Sequence, residues 1–278
     1  MDTITMATLS LRNVSNRVYE GGAYTKIYLN NCTNVTVRGA TVSLTPSGIN
    51  DQAIRIYNSP GTILENLTVL SGGGKALSGE GVNLSNSSRS RISKCVFTGF
   101  HQGITFGGCD DLTIIGNTIA NTRTSPISGA PGDRLTIKDN YIGDSHPLNW
   151  GLKGGDHADE IHLFTTKPVT GLVIEGNTID QTNGVGILGV FLQPKSGGFT
   201  NVLITNNKFI MRQGQALILK YVGGVVSFNT LVSLGTGKAT ARYDVYGGNT
   251  PLLLEGNVGF ISLDRRLTPE QRALITIK

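Results

Sequence analysis

The sequence predicts an all-β solenoid, a single-stranded parallel β-helix of about nine or ten coils. Three observations predict it: a phrase that recurs along the chain, an alternation of apolar and polar residues inside that phrase, and a composition rich in glycine and poor in charge. The phrase is LVIEGNTID at 172–180. Close copies are LTIIGNTIA (112–120), LTIKDNYIG (135–143), VLITNNKFI (202–210), VVSFNTLV (225–232) and LLLEGNVGF (252–260). Weaker copies are VTVRGATV (35–42), TILENLTV (62–69) and RISKCVFTG (91–99). Aligned, they share one position at Asn117, Asn140, Asn177, Asn207, Asn229 and Asn257, preceded by Ala40, Leu67 and Cys95. Successive intervals are 27, 28, 22, 23, 37, 30, 22 and 28 residues.

Each copy is a short strand, a bend and a second short strand. Val, Ile, Leu or Phe alternates with Thr, Lys, Arg or Glu, the period-2 pattern of a strand with one buried side. Stacked coils lie ~4.8 Å apart, so equivalent residues sit directly above one another. A buried Asn in every coil can then bond to the Asn above and below and to free backbone groups of the bend. The competing explanation, that Asn is simply a good turn residue, does not account for a column that stays fixed while the intervals vary.

Glycine makes up 37 of 278 residues and charged residues 15%, which suits many tight bends and argues against a disordered or coiled-coil chain. The length fits one elongated domain over 1–278. There are 24 Lys and Arg against 19 Asp and Glu, a net charge of +5. That excess fits an acidic partner such as a uronic-acid polymer. No run of basic residues points to nucleic acid, and no apolar stretch of about eighteen residues points to a membrane span. The opening MDTITMATLSLRN lacks the basic start and apolar centre of a signal peptide. Cys32, Cys95 and Cys109 are odd in number. Cys32 and Cys109 fall in one column with Ser59 and Ser87 between them, ~14 Å apart by strand spacing, too far for a disulfide. All three read as small buried residues.

In chain order, TLSLRNV and AYTKIYLNN are entry strands. No amphipathic helix covers the first coil, which suggests an excised domain or a first coil covered by a partner subunit. Asn13, Asn31, Asn34, Asn66 and Asn86 lie in N-x-S/T sequons, expected to be incidental in a chain so rich in Asn and Thr. About eight residues before each phrase comes a further strand: KIYLNN (26–31), AIRIYN (53–58), GVNLSN (81–86), GITFGG (103–108), EIHLFT (160–165), VFLQPK (190–195), LILKYV (217–222) and YDVYGG (243–248). Together these form one parallel sheet. Ile54, Ile104, Ile161 and Leu217 fill the core, and Arg55, Asn83, Thr105 and His162 face water. Gln193 and Lys220 join them, with a register open by one residue. Such a face, ridged every ~4.8 Å, can hold an extended chain molecule. At the far end, Thr268 with Gln271 makes a capping-box pattern with Pro269 at the first helical position. A short helix is expected near 269–275, within a C-terminal cap over 264–278 or at the start of a further part.

The longest interval holds an insertion over 143–168, where function is expected on a rigid scaffold. It carries Trp150, the only tryptophan, with His146, His157, His162, Lys153, Asp156, Asp159 and Glu160. The extension QPKSGGFTN (193–201) is expected to wall the same face. GDHADEIH (155–162) packs five ionisable groups into seven residues. On a strand, Glu160 and His162 share one side because Cβ directions alternate. A carboxylate beside an imidazole can set a general base near neutral pH. Two carboxylates with separated pKa values can cleave a glycosidic bond. Carboxylates so clustered also suit Ca²⁺, although no other cofactor is implied. A hydrogen-bonded turn that merely closes the insertion is the alternative without chemistry.

These Asn-bearing repeats, NVTVRG, LTIIGNTI and LVIEGNTI, resemble the right-handed parallel β-helix of the pectate-lyase superfamily. That group includes polysaccharide lyases, glycoside hydrolases, uronan epimerases and phage tailspike depolymerases. The string GDHADEIHLF is similar to an H-x-D-x-[IL]-Q segment of bacterial and phage β-helix proteins, with His162 in place of Gln. By that match His157 and Asp159 are expected as site residues. Neither the D-P-H motif of alginate epimerases nor the R-I-K of polygalacturonases occurs. The favoured expectation is cleavage of an acidic polysaccharide by β-elimination. Lys153, Lys220 or Arg55 would neutralise a uronate carboxylate, and His157 or His162 would remove its C5 proton with Asp159 orienting the ring. Trp150 and Gln193 would bind the chain. The alternatives are hydrolysis by Asp156, Asp159 and Glu160, as in tailspike-like depolymerases, and a non-catalytic glycan-binding or phage structural module. An extracellular, periplasmic or virion-associated location follows from the resemblance, with a homotrimer expected if the source is a phage.

Overall fold

The computed structural model describes residues 7–72, 77–149, 155–156, 159–184, 188–212, 214–234, 242–246 and 250–278. It is a parallel β-helix with three faces. The first face stacks Ala7–Arg12, Ala23–Asn30, Gln52–Tyr57, Glu80–Ser85, Gln102–Gly107, Ile127–Ala130, Asp159–Thr165, Leu188–Pro194, Gln215–Leu219, Arg242–Val245 and Ile261–Leu263. The second runs from Ser15–Glu20 and Thr33–Arg38 through Val173–Glu175 to Leu252–Glu255 and Ile275–Ile277. The third runs from Thr41–Leu44 through Thr178–Asp180 to Thr230–Ser233. The first and third faces join where Ala23 and Tyr24 pair with Thr41 and Val42, while Ile27 pairs with Ile54. Ala23–Asn30 thus turns the corner.

The core is a column of Val, Ile, Leu and Phe running the length of the solenoid, with Phe97, Phe100, Phe199 and Phe209 its largest fully buried members. At the bend between second and third faces the asparagines stack as expected. Asn117 Nδ2 donates to Asn140 Oδ1 at 2.9 Å, and Asn140 Nδ2 to Asn177 Oδ1 at 2.9 Å. Asn177 continues to Asn207 at 3.0 Å, then Asn229 and Asn257 follow at 2.9 Å each. Each Oδ1 also accepts the backbone N–H of the preceding column member. Each Nδ2 also donates to a second-face carbonyl one coil back. Both amide atoms of the ladder asparagines are thus paired inside an apolar core. The residue before each ladder position is left-handed, as at Lys94, Asp139, Asn206 and Phe228 with φ of 52–55°. Glycine takes this place at Gly116, Gly176 and Gly256, because it adopts that conformation without strain.

A second column lies at the bend between first and second faces. Cys32 N–H donates to Ser59 Oγ and Ser59 N–H to Ser87 Oγ, both at 3.0 Å. Ser87 N–H reaches Cys109 Sγ at 3.4 Å. The three cysteines are free and buried. The sequon asparagines Asn13, Asn31, Asn34, Asn66 and Asn86 all have φ of 50–57°. They recur because they occupy left-handed bends, which Asn tolerates better than most residues.

Three expectations change. Ile127–Ala130 is a first-face strand not foreseen from the sequence, because Pro126, Pro131 and two small residues mask its pattern. The C-terminal helix spans Pro269–Ala273, with the Thr268–Gln271 capping box formed. It is followed by Ile275–Ile277, which pairs with Leu252–Glu255. The helix is thus an excursion within a coil. Finally, 193–201 does not wall the first face. Lys195 N–H bonds Thr165 O at 2.7 Å and Val169 N–H bonds Gly198 O at 3.0 Å, so this segment stacks on the corner below it.

Candidate functional site

Along the first face, register places Arg55, Asn83, Thr105, Ser128, His162, Phe191, Ile218 and Asp244 in one outward row. Tyr57, Ser85, Gly107 and Ala130 begin the next row. Phe164 and Gln193 continue it as a pair. Gln193 and Lys220 do face outward, but Phe191 and Ile218 are the neighbours in His162's own row.

His162 is held on all sides. Its Nε2 lies 2.9 Å from Gln193 Oε1, and its Nδ1 lies 3.5 Å from Asp159 Oδ2. Its ring stacks on Phe191 with centroids 5.3 Å apart and planes 6° from parallel. Phe164 tilts against it at 5.6 Å. Lys220 Nζ sits 4.9 Å from the Phe191 centroid and 5.2 Å from that of Tyr246. The result is a ridge of half-buried rings flanked by a cation, with one carboxylate–imidazole contact on it.

Glu160 is not part of that ridge, contrary to the alternation argument. The first-face strands begin with two successive side chains inside. A Cβ on Gly81 would meet the Phe97 ring, and one on Gly103 would meet Ile119, while Val82 and Ile104 are also buried. Glu160 and Ile161 occupy the same two places. Glu160 is fully buried, accepts from Ser145 Oγ at 3.1 Å, and has its carboxyl pushed well above the usual range by burial. The irregularity brings Asp159, not Glu160, beside His162. Asp156 is likewise withdrawn. It accepts from Arg123 Nε at 2.8 Å and Nη2 at 3.0 Å, and from the Leu148 N–H at 2.7 Å. Burial raises its carboxyl, but the Arg123 and Leu148 bonds outweigh that and hold it below the ordinary value. Asp156 thus ties the insertion to Arg123 on the body. His101, which the sequence did not single out, lies by this pair, and burial and the Arg123 charge lower its pKa. His157, Lys153 and Trp150 lie outside the described residues. Among the described residues no three His, Cys, Asp or Glu side chains converge as metal ligands. Asp156 is engaged by Arg123 and Glu160 by Ser145.

Sequence reasoning missed Glu80. It lies in a depression of about 420 Å³ on the first face, lined by Asn83, Gln102, Thr105, Ser128 and Phe164 among others. Gly107 and Ala130 make the floor low. Glu80 Oε2 accepts from Thr105 Oγ1 at 3.1 Å and Gln52 Nε2 at 3.2 Å, and burial raises its carboxyl above the ordinary value. The clue was available: QAIRI, EGVNL and QGITF align as a Gln–Glu–Gln row.

The description "right handed beta helix region" fits residues 80–241. No curated protein matches the chain. Among solved structures, PfbA, a surface adhesin of Streptococcus pneumoniae, superposes with a TM-score of 0.66 at 14% identity, covering 92% of this chain and 72% of the adhesin. A hyperthermoactive exopolygalacturonase from Thermotoga maritima gives 0.52 at 11% identity, over 87% of this chain and 55% of the enzyme. The Dettilon tailspike protein gives 0.51 at 13% identity, over 92% and 54%. The chain thus spans about half the length of the latter two. At these identities the likeness is one of fold. With more than half of its length matched, the chain belongs to the right handed beta helix family, with the pectate-lyase-like parallel β-helix its repeats predicted.

Proposed function

We propose that this protein is carbohydrate-active and binds an extended acidic polysaccharide along the first face. The observation that carries this is the ridge of Phe164, His162 and Phe191 between two cations, Arg55 and Lys220. Neither cation has a carboxylate partner among the described residues. Six coils separate them, ~29 Å by strand spacing. Aromatic faces offer apolar area to the C–H faces of sugar rings, and the cations suit carboxylates at both ends of a bound stretch. An extracellular or virion-associated setting is the one in which such a face meets its ligand.

A second reading, cleavage by β-elimination, is favoured by the Asp159–His162 contact. Asp159 orients the ring, and His162 takes the C5 proton of a uronate once the sugar has displaced Gln193 from Nε2; the C–H electron pair forms the C4–C5 double bond as the C4–O glycosidic bond breaks, and water protonates the leaving oxygen. Lys220 is ~10 Å from His162 and Arg55 ~19 Å, by coil spacing. Both therefore serve flanking sugars, and Lys153, outside the described residues, is the remaining candidate for neutralising the reacting carboxylate. Hydrolysis by paired carboxylates finds less support, because Asp156, Asp159 and Glu160 point in three directions.

The test is incubation with a panel of uronans, following binding, ultraviolet absorbance of an unsaturated product, and reducing ends. Saturable binding with new absorbance supports both readings. Binding without any product supports the binding face alone and removes elimination. Reducing ends without absorbance would establish hydrolysis. No binding to any polysaccharide overturns the proposal.

A further inference from the structure

We propose that the Glu80 depression is a subsite for an uncharged sugar, so that the preferred ligand is a mixed polymer in which acidic residues are separated by neutral or N-acylated ones. This rests on the glycan-binding reading of the first face and specifies its substrate class.

Along the groove, cationic ends enclose an acidic middle. Glu80 lies one coil beyond Arg55 and three coils before the His162 coil, ~14 Å away. Its carboxylate is held by a relay: Asn83 Nδ2 donates to Thr105 Oγ1 at 2.8 Å, and Thr105 Oγ1 donates to Glu80 Oε2 at 3.1 Å. Gln52 Nε2 is a second donor to the same oxygen, from the coil before, at 3.2 Å. No cation pairs with Glu80 among the described residues, since Lys26 is taken by Asp51 at 2.6 Å. A uronate placed here would set two carboxylates side by side in a half-buried groove, which is unfavourable. A hydroxyl or an acylamino N–H would instead donate to the carboxylate, the stronger class of hydrogen bond. Room exists for a bulky substituent, because a side chain on Gly107 would meet open space. Asn83, Gln102, Thr105 and Ser128 supply further uncharged donors and acceptors.

The experiment compares binding of polygalacturonate, a polymer of uronate alone, with hyaluronan, which alternates uronate and N-acetylhexosamine. It uses the full chain and the Glu80→Gln variant at about pH 7.5, where the free carboxyl is ionised. Wild type is expected to bind hyaluronan more tightly. Glu80→Gln is expected to tighten polygalacturonate binding about fivefold, the effect of removing one like charge at close range, and to weaken hyaluronan binding, which loses the charged acceptor. Gln102→Glu, which adds a carboxylate to the same row on the next coil, should weaken polygalacturonate binding by a similar factor and reads the effect independently. An unchanged preference in both variants, or a wild-type preference for polygalacturonate, overturns the subsite. If wild type binds neither these polymers nor any other polysaccharide, the glycan-binding reading itself fails.

Discussion

Replacing Asn177 by Ala tests whether the asparagine column holds the coils together. Asn177 is 1% exposed. Its Oδ1 accepts from the Asn140 N–H at 3.0 Å and from Asn140 Nδ2 at 2.9 Å. Its Nδ2 donates to Ile137 O at 2.9 Å, Glu175 O at 3.1 Å and Asn207 Oδ1 at 3.0 Å. Asn140 Nδ2 keeps Ile114 O, and Asn207 Oδ1 keeps the Asn177 N–H. The groups left without this partner in a dry core are the Asn140 N–H and the Ile137 carbonyl. At about 1–3 kcal/mol for each of the two orphaned groups, the loss is about 2–6 kcal/mol. Asn257→Ala is the control: its place is half-buried, so water can replace the lost bonds and the cost falls to about 1 kcal/mol. Guanidinium unfolding followed by circular dichroism measures both. Because solenoid stability is transmitted between neighbours, the Asn177 variant should also show a broadened transition. Equal losses below about 1 kcal/mol in both variants would refute the ladder's role.

Glu160→Gln should stabilise the protein at neutral pH and keep the Ser145 contact. The folded carboxyl is raised above its unfolded value, so the folded state binds the proton more tightly and stability declines as pH climbs above about 4.5. The melting temperature of the variant should therefore exceed wild type increasingly from that pH upward, and a constant gap would contradict this. His162→Ala should abolish any elimination product, a loss of about 10²–10⁴ in rate, while leaving measurable binding. Phe191→Ala should weaken binding of a uronan several-fold by calorimetry and lower turnover as well, since it removes the ring on which His162 stacks. Gly107→Leu should fill the depression and cut binding at least tenfold with an unchanged melting temperature, because its backbone conformation is ordinary and nothing lies within 4 Å.

The solenoid was legible because stacking repeats the same demand in every coil. Asn117 to Asn257 announce their column in the sequence, and so do Cys32, Ser59, Ser87 and Cys109. Ile127–Ala130 escaped because two prolines and a glycine erase the alternation that marks its neighbours. The site was legible as a segment but not as a geometry. Period-2 reasoning paired Glu160 with His162, whereas the strand start buries two consecutive residues. Glycines at 81, 103 and 189 hint at that, since they occupy Glu160's place in other coils. The Asp156–Arg123 pair joins residues 33 apart through the insertion, a contact no spacing rule anticipates. Glu80 was passed over because it stands alone in sequence. Its depression exists only because Gly107 and Ala130 come from two other coils.

The most direct measurement is a crystal structure of the protein soaked with an acidic oligosaccharide of six or more sugars. One extended chain is expected across the coils of the first face, with carboxylates at Arg55 and Lys220 and a ring against His162 and Phe191. A chain bound on the second or third face, or at a corner away from His162, would contradict it.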